Sequence, residues 1–246
     1  MKRNSVLFSA LLLFCAFLTA CRQSVPALVE PAEGAGREGH TFAEPHRITI
    51  CVDAGHGFDD IGTSSPYLDD LAEKDITLDI VLQLRDFLEE KGFNVLLTHD
   101  GSVFPKTVLD DGNNLFNPKE RIAYADTLDI DYYISIHCDS YEADSSVRGT
   151  RVYYSQGTPY TKKSARAADD ICAALNTAFP DDKKCISKDM AMDKAYYVIR
   201  EAKVPSALIE IGFVTNPDDA KKMCSEAWRD SFASAVADGI ALFFTE

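Results

Sequence analysis

Residues 48–57 read Ile48-Thr49-Ile50-Cys51-Val52-Asp53-Ala54-Gly55-His56-Gly57, an apolar, β-branched run that breaks at a Gly-His-Gly turn. The run predicts a buried strand of a parallel sheet. In open α/β sheets, functional groups collect where such strands end. The pattern recurs further along. Tyr133-Ile134-Ser135-Ile136-His137 is a second run, also ending on histidine. Pro205-Ser206-Ala207-Leu208-Ile209-Glu210-Ile211-Gly212 is a third, with one carboxylate inside it. After the first run an acid opens a helix, in Ala72-Glu73-Lys74-Asp75-Ile76. Its apolar positions Ile76, Ile80, Val81, Leu84, Phe87 and Leu88 recur at helical spacing, and Gly92 suits its end.

Strands are predicted over 47–53, 93–98, 132–137, 150–154, 195–200 and 207–211. Helices are predicted over 73–91, 117–128, 161–178 and 226–244, with a short one after Asn216-Pro217. Alternating signals of this kind predict an α/β fold: a single domain with an open, twisted, mostly parallel sheet of about six strands and helices on both faces.

The first twenty residues stand apart. Met1-Lys2-Arg3 is basic, Val6 to Leu18 is apolar, and Leu18-Thr19-Ala20-Cys21 ends the segment with small residues before a cysteine. That is a secretory signal, and its apolar run is too short to span a bilayer. The tetrapeptide resembles a bacterial lipobox, which implies lipidation of Cys21 and a protein anchored to a membrane in the cell envelope, facing the periplasm or the exterior. Residues 21–46 contain Pro26, Pro31, Gly34, Gly36 and Gly39 with no sustained period and read as a flexible tether. The folded domain is expected over 47–246.

Twenty-five basic residues face 39 acidic ones, a net charge of −14, and Lys2 and Arg3 leave with the signal. Such a domain is not expected to bind nucleic acid by charge. Five of the seven cysteines lie beyond Cys21: Cys51, Cys138, Cys172, Cys185 and Cys224. An odd number cannot all pair within one chain. Cys172 and Cys185 are close enough in sequence for a disulfide in an oxidising compartment, and the spacing alone leaves that open. No C-x-x-C pair exists, which argues against a structural zinc site.

Each candidate site residue also has a bland reading. His56 suits a turn, His137 suits a hydrogen-bonded core position, and Glu73 suits a helix dipole. Glu210 interrupts an apolar strand, which is costly unless it is paired, neutral or beside a metal. Arg200 or Arg121 would serve as its partner. Taken together, two His and one Glu make a catalytic zinc set, and a second Glu is a candidate base.

At this point the chain resembles a known family. Asp53-Ala54-Gly55-His56-Gly57, Glu73-Lys74-Asp75, Ser135-Ile136-His137 and Glu210-Ile211-Gly212-Phe213-Val214-Thr215-Asn216 are similar to the motifs of zinc-dependent N-acetylmuramoyl-L-alanine amidases, the amidase 3 family. Leu97-Thr98-His99-Asp100, Glu120-Arg121-Ile122-Ala123, Arg148-Gly149-Thr150 and Tyr197-Val198-Ile199-Arg200 support the resemblance. It implies a Zn2+ ion on His56, Glu73 and His137, with Glu210 as catalytic acid/base. It also implies peptidoglycan as substrate, cut at the amide between N-acetylmuramic acid and L-alanine. Asp139 and Arg121 are candidate substrate contacts. Other readings are a zinc peptidase or deacetylase on another cell-envelope amide, and a lipoprotein that binds cell wall without cutting it.

The chain departs from the family pattern at Ala54, usually Pro; Phe58, usually Gly; His99, commonly Arg; and Cys138-Asp139, usually Ala-Asn. Strand neighbours point to opposite faces, so Cys138 is not expected to share a metal with His137. Some family members carry a long inserted helix that plugs the site until an activator displaces it. Here Pro180 to Asp193 reads as a short polar connection without the apolar face of a docked plug. No obligatory protein activator is therefore expected. Loop 100–116, with Phe104, Val108, Leu109, Leu115 and Phe116, is the alternative cover.

Overall fold

The structure, a computed structural model, describes residues 46–68, 70–102 and 117–245. The signal, Cys21, the tether and most of loop 100–116 lie outside the described residues. Six strands form one sheet in the order β2-β1-β3-β6-β4-β5. They are β1 (Thr49–Ala54), β2 (Asn94–Leu97), β3 (Tyr132–Asp139), β4 (Arg151–Ser155), β5 (Ile186–Met190) and β6 (Ser206–Phe213). All pairings are parallel except β4 against β6.

The helices are α1 (Glu73–Glu90), α2 (Pro118–Ala125), α3 (Thr161–Ala178), α4 (Tyr197–Glu201), α5 (Pro217–Met223) and α6 (Glu226–Thr245). Local chemistry sets their starts. Asn117 and Asn216 each accept two backbone N–H groups of the first turn, and each is followed by proline. The backbone N–H of Ala72 donates to Asp75 Oδ2 at 3.0 Å, closing the first turn of α1.

The sheet is covered on both sides. Ile50, Val52, Ile134 and Ile136 face α1, α3 and α6 in one core. Cys51, Tyr133, Tyr153 and Leu208 face α2 and α4 in the other. The site's position follows from this winding. The chain leaves β1 towards β2 through α1, then returns past β1 to β3 through α2. Right-handed crossovers in opposite directions put α1 and α2 on opposite faces, and a crevice opens between the ends of β1 and β3.

Two stretches differ from expectation. Residues 195–200, expected as a strand, hold the short helix α4. Val198 and Ile199 are adjacent and both buried. One helical turn can lay both on the sheet, whereas a strand would turn one of them away. The strand lies earlier, at β5, inside the presumed connection 180–193. Its sequence Ile-Ser-Lys-Asp-Met lacks a strand's apolar signature because β5 is an edge strand exposed over much of its length.

Asn176 holds the chain entering β5. Its amide accepts from Cys185 N at 2.8 Å and donates to Cys185 O at 3.1 Å. One turn earlier on the same helix face, Cys172 Sγ lies 2.7 Å from Cys185 Sγ. Oxidised protein is expected to carry this pair as a disulfide. Alkylation under denaturing, non-reducing conditions followed by peptide mass mapping checks it, and two free, alkylated thiols at 172 and 185 would refute it.

Candidate metal centre

The turn after β1 is built to carry an imidazole. His56 has φ 62°, in the left-handed region, and Gly57 and Phe58 continue it at 124° and 55°. Two neighbours hold this shape from behind. Arg121 Nη1 donates to Ala54 O at 2.6 Å and Nη2 donates to His56 O. His99 Nε2 lies 3.0 Å from Ala54 O and 3.1 Å from His56 O, and since carbonyls only accept, that nitrogen carries the hydrogen. Gly55 is required for another reason: a Cβ there would collide with the His137 ring.

Glu73, 1 % exposed, sits between the two imidazoles. Its Oε2 is 3.2 Å from His56 Nε2 and its Oε1 is 3.1 Å from His137 Nδ1. Backbone N–H groups of Thr63 and Cys138 each donate to it at 2.8 Å and fix both oxygens. The rings of His56 and His137 stand 5.1 Å apart at 80°. One ligand atom from each of the three residues lies within 4.8 Å of the others.

The proton positions test the fit to a metal. His56 Nδ1 is 2.9 Å from Asp60 Oδ2, and a carboxylate accepts, so Nδ1 carries the hydrogen. Nε2 then turns a lone pair towards a carboxylate oxygen. Two acceptors at that separation need a cation between them, either a proton or a metal ion. Burial lowers the His56 pKa, but Glu73 and Asp60 outweigh it and push it up to about 9. Burial alone would raise the Glu73 pKa, but His137 and His56 outweigh it and hold the carboxyl well below the usual range. An imidazole ligand backed by a carboxylate is a common arrangement at zinc. The three residues fit a metal ion. Asp60 was not singled out from sequence; its signal is its place four residues after His56.

Glu210 lies directly across the β3–β6 pairing from His137. It is 5 % exposed, and its Oε2 has no hydrogen-bond partner among the described residues. The Tyr196 side chain lies beside the same carboxyl. Burial, then the carboxylates of Asp139 and Glu73, push its pKa up to about 8. The two arginines suggested by sequence as its partners are engaged elsewhere. Arg200 pairs with Glu201, and Arg121 Nη1 pairs with the fully buried Asp53 at 2.7 Å. A cavity of about 130 Å³ joins His56, His137 and Glu210 to Arg121, Tyr196 and Tyr197. Asp139, at the end of β3, lies 3.4 Å from Arg151 Nη1. Cys138 packs in the core on the other face of the sheet, and burial raises its pKa.

Residues 50–242 match the model of the N-acetylmuramoyl-L-alanine amidase family, amidase 3. An uncharacterised Bacillus subtilis protein, YqiI, is 31 % identical over 80 % of this chain and 85 % of its own. The N-acetylmuramoyl-L-alanine amidase LytC of Bacillus subtilis is 29 % identical over 80 % of this chain but only 35 % of its own length. Among solved structures, the CwlD amidase of Clostridioides difficile, in complex with the GerS lipoprotein, superposes with a TM-score of 0.65. It is 24 % identical, over 81 % of this chain and 99 % of that one, which shows the shared fold. The chain belongs to the N-acetylmuramoyl-L-alanine amidase family.

Proposed function

We propose that this family member hydrolyses the amide between N-acetylmuramic acid and L-alanine in peptidoglycan, with His56, Glu73 and His137 holding Zn2+ and Glu210 acting as acid and base. The observation that carries the reading is Glu210: a buried carboxyl with a bare oxygen, one strand across from a His-Glu-His cluster. Bound zinc would lower the pKa of water to about 7 and polarise the scissile carbonyl.

The protein's own groups supply the rest. Glu210 accepts the proton of the attacking water and delivers it to the departing alanine nitrogen. A pKa raised towards neutrality suits a group that must both take and give a proton. Tyr196 and Glu210 share a wall of the cavity, and Oε2 is without a hydrogen-bond partner among the described residues. Asp60 and the Thr63 and Cys138 amides keep the ligands oriented.

Incubating the purified chain with peptidoglycan, with and without chelator, tests the bond. Stem peptides bearing a free N-terminal alanine are expected, and their absence would overturn the reading. The isolated chain is expected to act without a protein activator. His56→Ala and His137→Ala are each expected to lower zinc content and cut affinity at least ~10-fold, since even outer-shell changes cost 10–100-fold. Full zinc retention in both would reject the ligand set.

A location in the cell envelope, anchored through Cys21, belongs to the same proposal. No described helix is long and apolar enough to cross a membrane. Cys21→Ser should move the protein out of the membrane fraction, and unchanged fractionation would reject the anchor.

A further inference from the structure

The sheet face that carries the cluster does not stop at Glu210. Pairing carries a row across three strands: His137 on β3, Glu210 on β6 and Arg151 on β4. Directly paired strand residues lie about 5 Å apart, so Arg151 starts as near to Glu210 as His137 does. Tyr153, two residues on, shares the face of Arg151, and Lys188 on β5 pairs with Tyr153. The Lys188 ammonium lies 5.6 Å from the Tyr153 ring centroid. Helix α4 covers β6 and part of β4, and this side of β5 is open: Lys188 is exposed and Ile186 is 51 % exposed.

Two cations on an open shelf beside the candidate catalytic carboxyl call for an explanation in a chain of net charge −14. The Arg151 guanidinium is positioned and underused. It stacks over the Phe213 ring at 4.4 Å, which fixes its plane. Among the described residues its ion pair is with Asp139, long at 3.4 Å, and the Tyr153 side chain adjoins it. A guanidinium has five donors, more than these two neighbours can take up, so part of the fork can still meet a planar anion. The other flank of the cluster is acidic, with Asp59 and Asp60 beside His56.

The geometry points to Arg151, assisted by Lys188, as a subsite for carboxylates of the stem peptide, which fixes which side of the cluster receives the peptide. This rests on the proposed amidase reading. In that substrate the muramic lactyl carboxyl is tied up in the amide, so nearby negative charge belongs to the peptide. The peptide therefore lies over β4 and β5, and the glycan over the His56–Asp60 side. Arg151 and Lys188 are specificity residues, and the proton transfers remain with Glu210.

The test uses N-acetylmuramoyl-L-alanyl-D-glutamate with its carboxylates free or amidated, and the released dipeptide in the same two forms. The intact protein should prefer the free acid, and Arg151→Gln should collapse that preference towards parity. The loss should fall on KM for the free acid, by roughly ten- to hundredfold, the usual worth of a hydrogen bond to a charged group. Lys188→Gln should act in the same direction and more weakly. Calorimetric titration with the free and amidated dipeptides reads the subsite without turnover. It separates this inference from the amidase reading: if neither substrate is cut, preferential binding of the free dipeptide that disappears in Arg151→Gln still supports the subsite. If Arg151 serves only to neutralise Asp139 and Glu210, Arg151→Gln will shift the pH profile equally for both substrates and leave dipeptide binding unaltered. That result, or an intact protein indifferent to amidation, overturns the inference.

Discussion

Glu210→Gln is expected to abolish hydrolysis while the protein folds and binds zinc as before. The amide keeps the shape of the carboxyl but cannot accept the proton of water, and loss of a positioned general base costs at least ~10²-fold. Stability gives a second readout. Burial, Asp139 and Glu73 raise the folded pKa of Glu210 from 4.5 to about 8. For a carboxyl raised on folding, the unfolded chain gives up its proton first. The charged form therefore destabilises the fold increasingly as pH climbs from the unfolded value to the folded one. Glutamine never pays this penalty. In metal-free protein the Tm of Glu210→Gln should match that of the parent near pH 4 and exceed it increasingly up to pH 8. Near-normal turnover in clean protein would move the proton transfer to another group, with Asp139 the next carboxylate at hand. A Tm gap that ignores pH would show that Glu210 is not held protonated.

The buried strands and the three long helices could be read from the chain because their physics is local. Ile48 to Ala54 is a mostly apolar, β-branched run, and α1 repeats at helical spacing. What escaped was set by neighbours distant in sequence. β5 is polar because it is an edge, and Val198-Ile199 is helical because both side chains must reach the same sheet. The cluster followed a similar division. His56, Glu73, His137 and Glu210 stood out together: each has an ordinary reading alone, but four such groups at strand ends and a helix start are hard to explain by packing. Asp60 and Arg151 did not, because an acid in an Asp-rich loop and an arginine opening a strand are ordinary until the fold shows what each faces. Arg121 was noticed, but sequence could not tell a group that touches substrate from one that holds the loop.

Arg121→Leu decides between those two roles, and its largest effect is expected on stability. Asp53 is fully buried and accepts from Arg121 Nη1 at 2.7 Å, from Thr98 Oγ1 at 2.6 Å and from Ser135 Oγ at 2.6 Å. Burial alone would raise its pKa, but Arg121 and the two hydroxyls override that and hold it well below the usual range. For a carboxyl lowered on folding, the contribution is fully present above the unfolded value near 4 and is lost as pH falls through the folded one. Removing the guanidinium strands a charge that cannot reach water, at a cost of about 3–5 kcal/mol for breaking a buried pair. At about 2–4 °C per kcal/mol for a domain of this size, Tm should drop by roughly 6–20 °C. The carbonyls of Ala54 and His56 also lose one of their two donors and keep only His99, so the left-handed turn that presents His56 should loosen and zinc affinity should fall with stability. Asp53→Leu combined with Arg121→Leu removes both charges and should recover part of the Tm, because no unpaired ion remains. It should not recover zinc affinity, because the two carbonyls still lack the guanidinium. A single variant with unaltered Tm and zinc binding but a raised KM would instead assign Arg121 to the substrate.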